Sequence, residues 1–437
     1  MASIDFGKYR SVLEKSDFIQ YFGRVSKVVG LTIESDGPEA NIGELCQIHT
    51  VRSKKIINAE VVGFGENKVL LMPLGEMSGI GPGSKVVATG GTLKVGVGSK
   101  LIGRVIDGMG NPLDEKGDID IETYYPVNNS APHPLLRKRI TEPLPLGIKT
   151  VDGLLTVGKG QRVGIFAGSG VGKSTLIGMI ARNTKADINV IALIGERGRE
   201  VREFLEKDLK EEGLERSVVV VATSDQPALI RLKGALLATA VAEYFRDQGK
   251  DVLLLMDSLT RFAMAQREIG LAIGEPPVSR GYTPSVFSIL PKLLERSGNS
   301  QNGSITGLYS VLVDGDDMME PVTDTARGIL DGHIALSRSL ANRNQYPAID
   351  VLGSVSRVMN DIVTPEHKNT ANEIKKTMAI YRDAEDLINI GAYVKGSNEK
   401  IDYSIDVMDN ILGFLEQGTH DIYTFEEILE LMGRILK

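Results

Sequence analysis

The sequence predicts an α/β core built on a mainly parallel sheet, preceded by a small β-barrel and followed by a helical domain. Three changes of pattern along the 437 residues carry that expectation. Short segments alternate apolar and polar side chains from about Gly23 to Thr92. Apolar strands then alternate with long helical stretches from about 150 to 360, and helical periodicity alone fills the remainder.

In chain order, Phe6, Tyr9, Val12 and Leu13 fall on one side of a helix, so residues 1–20 read as a partner-docking helix, with packing on the chain's own barrel as the competing reading. Residues 21–92 form the barrel. Lys55-Ile56-Ile57-Asn58-Ala59-Glu60-Val61-Val62 and Lys68-Val69-Leu70-Leu71-Met72 are two of its strands, set off by Gly-Glu-Asn and Pro-Leu-Gly turns. The core runs over 93–360 and includes a connector, 126–150, whose start (Pro126 to Pro134) is too dense in proline to be helical. Ile188–Ile194, Val218–Ala222, Val252–Met256 and Ile305–Val313 are its strands, with helices such as Ala228–Gln248 between them. That alternation implies parallel pairing and a ligand beyond the carboxyl ends of the strands. Residues 361–437 form the helical domain, with helices over Thr370–Ile388, Ile401–Leu415 and Phe425–Leu436.

Composition excludes several classes. Fifty basic against 57 acidic residues leave a formal charge of −7, so the chain lacks the basic footprint of a nucleic-acid binder. One cysteine, Cys46, rules out an intramolecular disulfide and reads as a small core residue in Leu45-Cys46-Gln47-Ile48. No stretch approaches the ~18 apolar residues of a membrane span, and the N-terminus has no continuous apolar run of the secretory kind.

The chemistry centres on Ala167-Gly168-Ser169-Gly170-Val171-Gly172-Lys173-Ser174, placed between the strand Arg162–Phe166 and a helix over Lys173–Asn183. This is a P-loop: glycines free the backbone N–H groups of Gly168 to Thr175 to face anionic oxygens, Lys173 reaches the β- and γ-phosphates, and Ser174 takes Mg²⁺. Ala167 stands where the strict pattern has glycine, at a position that needs little room. Phosphoryl transfer also requires a carboxylate for the metal, a group to orient water and positive charge at the phosphoryl oxygens. Asp257 ends an apolar strand and supplies the first. Glu196 ends Val190-Ile191-Ala192-Leu193-Ile194-Gly195 and can either polarise a water or serve the N-terminus of a helix over Gly198–Glu212. The charge run Glu206 to Arg216 reads as a solvated helix face.

Three blocks, Gly195-Glu196-Arg197-Gly198-Arg199-Glu200, Asp257-Ser258-Leu259-Thr260-Arg261-Phe262 and Pro347 to Arg357, resemble those of the α/β family of rotary ATPases. The turn Gly103 to Gly108 is the clearest match on the barrel side. Within that family the chain is most similar to the flagellar protein export and type III secretion ATPases. The resemblance implies a RecA-like P-loop ATPase core that hydrolyses ATP with Mg²⁺ at the interfaces of a homohexamer. It makes Glu196 the catalytic glutamate, Arg197 a phosphate-side arginine, Tyr346 the ring against which adenine packs, and Arg357 an arginine finger on the adjacent subunit's nucleotide.

Further implied are a cytoplasmic location at the inner face of the membrane, a dimeric export regulator on the N-terminal helix and a coiled-coil stalk protein in the ring. A membrane export gate, export substrates and chaperones complete the implied partners. Rival readings are a catalytic subunit of a rotary ATP synthase, a virulence-type secretion ATPase, a non-catalytic subunit and an RNA translocase. Against the first, Gly391 to Lys400 lacks an acidic lever motif; against the last, Asp314, Asp316, Asp317 and Glu320 make one inter-strand loop acidic.

Overall fold

A computed structural model describes residues 21–51, 55–313, 315 and 317–436. The helix expected over residues 1–20 lies outside the described residues, as do Asp314 and Asp316 of the acidic loop. The chain divides into two compact units, one built mainly from residues up to Leu93 and the other from Lys94 onward.

The first unit is a closed antiparallel barrel of β1 (Phe22–Val29), β2 (Thr32–Asp36), β3 (Glu44–His49), β4 (Ile56–Gly65), β5 (Lys68–Pro73) and β6 (Lys85–Thr92), in the order β1-β2-β5-β4-β3-β6. Pairing of β1 with β6 closes it. Alternation along the strands sends Val25, Ile33, Ile48, Val61, Leu71 and Val86 inward with Cys46, whose thiol burial pushes up to about 11. The Gly-Glu-Asn turn joins β4 to β5. Glu66 and Asn67 both hold positive φ, 47° and 62°, the combination a two-residue type I′ hairpin requires.

The second unit begins with a two-stranded antiparallel sheet of β7 (Lys94–Val97) and β9 (Thr123–Pro126), with β8 (Arg104–Asp107) between them in sequence. Its main sheet adds β10 (Arg162–Ala167), β11 (Ile188–Ile194), β12 (Ser217–Ala222), β13 (Asp251–Asp257), a short β14 (Gly298–Asn299), β15 (Ser304–Leu312), β16 (Gly332–Leu336) and β17 (Ile349–Ser356). The order is β17-β16-β10-β15-β13-β11-β12-β8. Pairing is parallel from β16 through β8, while β17 runs antiparallel to β16 and β14 antiparallel to β15. Every residue of β11 and β12 is buried, the continuous apolar run of a sheet covered on both faces. The turn Gly103 to Gly108, read in sequence with the barrel side, contributes β8 to this sheet's edge instead.

The connector is pinned by a buried ion pair. Arg296, 1% exposed, meets both carboxylate oxygens of Glu243 at 2.9 and 2.8 Å and donates to the Val127 carbonyl, while Asn129 donates to Glu243. The helices Pro365–Asn389, Glu399–Leu415 and Phe425–Ile435 then pack against the short helix Lys149–Leu154. A Cβ on Gly153 would stand 3.0 Å from Met432 and Phe414, so glycine sets how closely they approach. Thr424 and Glu427 cap the last helix reciprocally.

One expected helix departs from regularity. Gly198–Glu203 and Lys210–Leu214 are α-helical, but Phe204–Leu209 between them is a π turn. There Asp208 comes so near Gly178 that a Cβ on that glycine would lie 2.7 Å from it. Most of the charge run is solvated, yet Asp208 turns in to hydrogen-bond Thr175 and Arg216 donates to the Thr184 carbonyl at 2.9 Å.

Candidate active site

Beyond Ala167, at the carboxyl end of β10, the chain turns through Gly170 and Gly172, whose φ values of 78° and 86° belong to the left-handed region. Ala167 itself is buried and has no such demand, which is why alanine serves there. Gly172 caps the helix Lys173–Asn183, so the free N–H groups of its first turn open onto a cleft of about 530 Å³. The loop lines one side of the cleft, Val171 excepted; that side chain is buried in the core. Glu196, Arg197, Arg199, Glu200 and Arg261 line the other.

Three neighbouring strands deliver the central groups. Lys173 follows β10, Asp257 ends β13, and Ser310 lies on β15, which runs between them. Lys173 Nζ is paired with Asp257 Oδ1, and the Ser310 hydroxyl donates to the same oxygen at 2.6 Å. Glu196 follows β11, the next strand beyond β13. Burial, and then the charge of Asp257, push its carboxyl up to about 7 against the opposing pull of Lys173. A hydrogen bond from Glu196 holds Glu200 below the ordinary carboxylate range.

Arg197 is the N-cap, and the Glu200 carboxylate reaches back to the Arg197 N–H at 3.4 Å. Glu196 is thereby spared that duty and faces the cleft. Arg197 extends outward with its side chain 75% exposed, held loosely by Glu200 at 3.5 Å.

Tyr346 precedes β17, and its ring lies against the loop: a Cβ on Gly172 would come within 3.3 Å of it. Arg357 is elsewhere. It follows the far end of β17, exposed, with its N–H on the Asp331 carbonyl at 3.0 Å and a guanidinium contact to the Arg327 carbonyl at 3.4 Å. The residues from Gly168 to Thr175, Glu196, Arg197, Asp257 and Tyr346 thus converge, and Arg357 does not join them within one chain.

Two residues escaped sequence reasoning. Arg261 packs its stem over Gly195, and its buried Nε has no hydrogen-bond partner among the described residues. Its position four residues after Asp257, in the first turns of the helix Leu259–Ala272, is a signal that could have found it. Ser310 sits in mid-strand and carries no local signal.

Family comparisons agree with the order of the domains. Residues 147–356 match the model of the ATP synthase alpha/beta family, nucleotide-binding domain, and residues 25–90 match that family's beta-barrel domain. The chain belongs to the ATP synthase alpha/beta family. Within it, residues 363–434 match the T3SS EscN ATPase C-terminal domain. This family member is 58% identical over 418 residues to the Flagellum-specific ATP synthase of Bacillus subtilis (strain 168), covering 95% of each chain. It is 51% identical to the Type 3 secretion system ATPase of Xanthomonas euvesicatoria, covering 95% of this chain and 94% of the relative. Among solved structures, the assembled ATPase EscN in complex with its central stalk EscO, from the enteropathogenic E. coli type III secretion system, matches with a TM-score of 0.88 and 47% identity. That match covers 95% of this chain and all of the other.

Proposed function

We propose that this ATP synthase family member hydrolyses Mg·ATP to energise or prepare protein export through a flagellar type III secretion apparatus. The observation that carries the reading is Glu196: a carboxylate relieved of helix capping, half-buried beside Asp257 and Lys173, and turned into the cleft that the glycine loop bounds.

The residues divide the work. N–H groups of Gly168 to Thr175 cradle the phosphates, Lys173 and Arg197 stabilise their charge, and Glu196 orients the attacking water. Tyr346 supports the adenine. Ser174 and Asp257 present hydroxyl and carboxylate oxygens, the donor types Mg²⁺ prefers. Among the described residues no three Asp, Glu, His or Cys side chains gather into a metal cluster, so a cation here would share its shell with phosphate and water oxygens, as Mg²⁺ commonly does. When bound it supplies charge neutralisation at the β- and γ-oxygens.

Arg357 acts on a neighbouring subunit's nucleotide, because its own chain's loop lies at the other end of the sheet. A homohexamer with equivalent interfaces satisfies that geometry, since each chain then gives its loop to one interface and its finger to the next, and every ring site has one of each. In the EscN complex a central stalk accompanies the assembled ATPase, and a coiled-coil protein fills that place here. The remaining partners are a dimeric regulator on the N-terminal helix, the export gate, and export substrates with their chaperones. Among the described residues no helix is long and apolar enough to cross a membrane, so attachment at the inner face of the cytoplasmic membrane would be peripheral.

The test is steady-state ATPase activity against protein concentration, with particle mass measured in the same samples with and without Mg·ATP. Specific activity rising as hexamers appear supports sites completed between subunits. Activity independent of assembly, or absent until a different subunit is added, overturns the reading.

A further inference from the structure

We propose that Ser310 is a positioning residue for Asp257, holding one carboxylate oxygen so that the other stays directed at Mg²⁺. The proposal rests on the metal-binding reading given above.

Ser310 interrupts an apolar strand. Its neighbours Leu308 and Val311 on β15 are buried, and Ser310 is itself 1% exposed. A hydroxyl in that setting costs free energy unless it is hydrogen-bonded. The sheet supplies the partner: β15 pairs with β13 in parallel register, Tyr309 beside Met256, so the next residue on each strand brings Ser310 alongside Asp257. The 2.6 Å bond to Asp257 Oδ1 has the length of a hydroxyl donating to an ionised carboxylate.

Oδ1 also receives Lys173 Nζ, which lies 3.5 Å from the Ser310 hydroxyl. Among the described residues Asp257 Oδ2 has no hydrogen-bond donor. The carboxylate is therefore divided, one oxygen committed to protein donors and one left for a cation. Lys173 is the donor assigned to the phosphates, so with nucleotide present Ser310 remains to fix Oδ1. Without its hydroxyl the carboxylate can rotate about its Cβ–Cγ bond, and loss of such an outer donor commonly weakens metal affinity about 10- to 100-fold.

A fluorescent ADP analogue bound to the purified chain, titrated with Mg²⁺, reads this directly without turnover. Ser310→Ala should raise the Mg²⁺ concentration for half-maximal response about 10- to 100-fold, leave nucleotide affinity in EDTA unchanged, and be rescued by Ser310→Thr. A Ser310→Ala titration that superimposes on the unsubstituted chain overturns the proposal, and Ser310 is then a satisfied core hydroxyl. If Ser310→Ala loses its cooperative melt, Ser310→Thr against Ser310→Val makes the same comparison at equal shape. An unsubstituted chain that binds the analogue without regard to Mg²⁺ overturns the metal reading and this inference together; Mg²⁺ dependence that survives Ser310→Ala unshifted removes the inference alone.

Discussion

Tyr346 and Arg357 stand beyond opposite ends of β17: Tyr346 lies against Gly172 of the P-loop, and Arg357 is bonded through its N–H to Asp331, where β10 begins. Because β17 is antiparallel to β16 and β16 is parallel to β10, one end of the strand must lie at the nucleotide cleft and the other at the far edge. Eight residues of strand put them about 25 Å apart. An arginine side chain cannot span that distance back to its own cleft.

Two inactive variants should therefore complement each other. Glu196→Gln lacks the carboxylate proposed to orient water and Arg357→Ala lacks the proposed finger, yet rings mixed from both contain interfaces that pair an intact Glu196 with an intact Arg357. ATPase assays on co-assembled subunits should show turnover that neither variant has alone. Mixed rings as inactive as the pure ones would overturn the assignment of Arg357 to a neighbouring subunit's site.

Taken singly, Glu196→Gln should keep nucleotide affinity while abolishing turnover, and Arg357→Ala should assemble and bind but hydrolyse about 10³- to 10⁵-fold more slowly. Equilibrium binding of a fluorescent nucleotide beside kcat separates these effects. A lost nucleotide affinity in Glu196→Gln would mean the carboxylate supports the site rather than the chemistry.

The raised carboxyl of Glu196 also sets an acid limb. The group must be ionised to polarise water, and burial beside Asp257 brings its ionisation to about 7. With decreasing pH the residue takes up a proton, so kcat/KM, which reports the free enzyme, should fall about tenfold per pH unit below that value. A profile flat down to the ordinary carboxylate range would contradict the burial argument.

Tyr346→Ala should raise KM for ATP on the order of tenfold and leave kcat near its starting value, since stacking on a base acts equally in the ground and transition states. A fall in kcat at unchanged KM would show instead that the ring orders the glycine loop.

Asp152 offers a test of stability. Its fully buried carboxyl accepts the Leu146 N–H at 2.9 Å and the Gly147 N–H at 2.7 Å, organising the turn before the helix Lys149–Leu154. Asp152→Ala leaves those donors unpaired in the core and should cost about 2–5 kcal/mol in urea unfolding. Burial raises this carboxyl from 3.8 to about 7. The folded state thus holds the proton more tightly than the unfolded chain, so this group's contribution to stability falls as pH rises between those values. Asp152→Asn, which cannot ionise, should flatten that slope in melts across the same pH range.

Local pattern carried much of this molecule. The apolar runs that became β11, β12 and β13, the hairpin turn at Glu66-Asn67 and the glycine loop before Lys173 all draw their geometry from residues adjacent in sequence. Period, turn chemistry and helix starts are properties of a few consecutive residues, so they are legible without a fold. Where neighbours from distant segments intervene, the reading stopped short. The π turn at Phe204–Leu209 answers to Gly178 on another helix, and β8 joins the core sheet through β12.

By itself the sequence determined the chemistry on offer: a glycine-rich loop at a helix start, carboxylates at two strand ends, an aromatic residue and a distant arginine. Only the tertiary structure decided how these groups divide their duties. Parallel register brought Ser310 to Asp257, Glu200 took the capping role that Glu196 could have filled, and the reversal of β17 carried Arg357 away from its own chain's nucleotide cleft. Each of these outcomes depends on pairing between strands or turns far apart in the chain, and such pairing is settled by burial and hydrogen bonding in three dimensions rather than by any local run of residues.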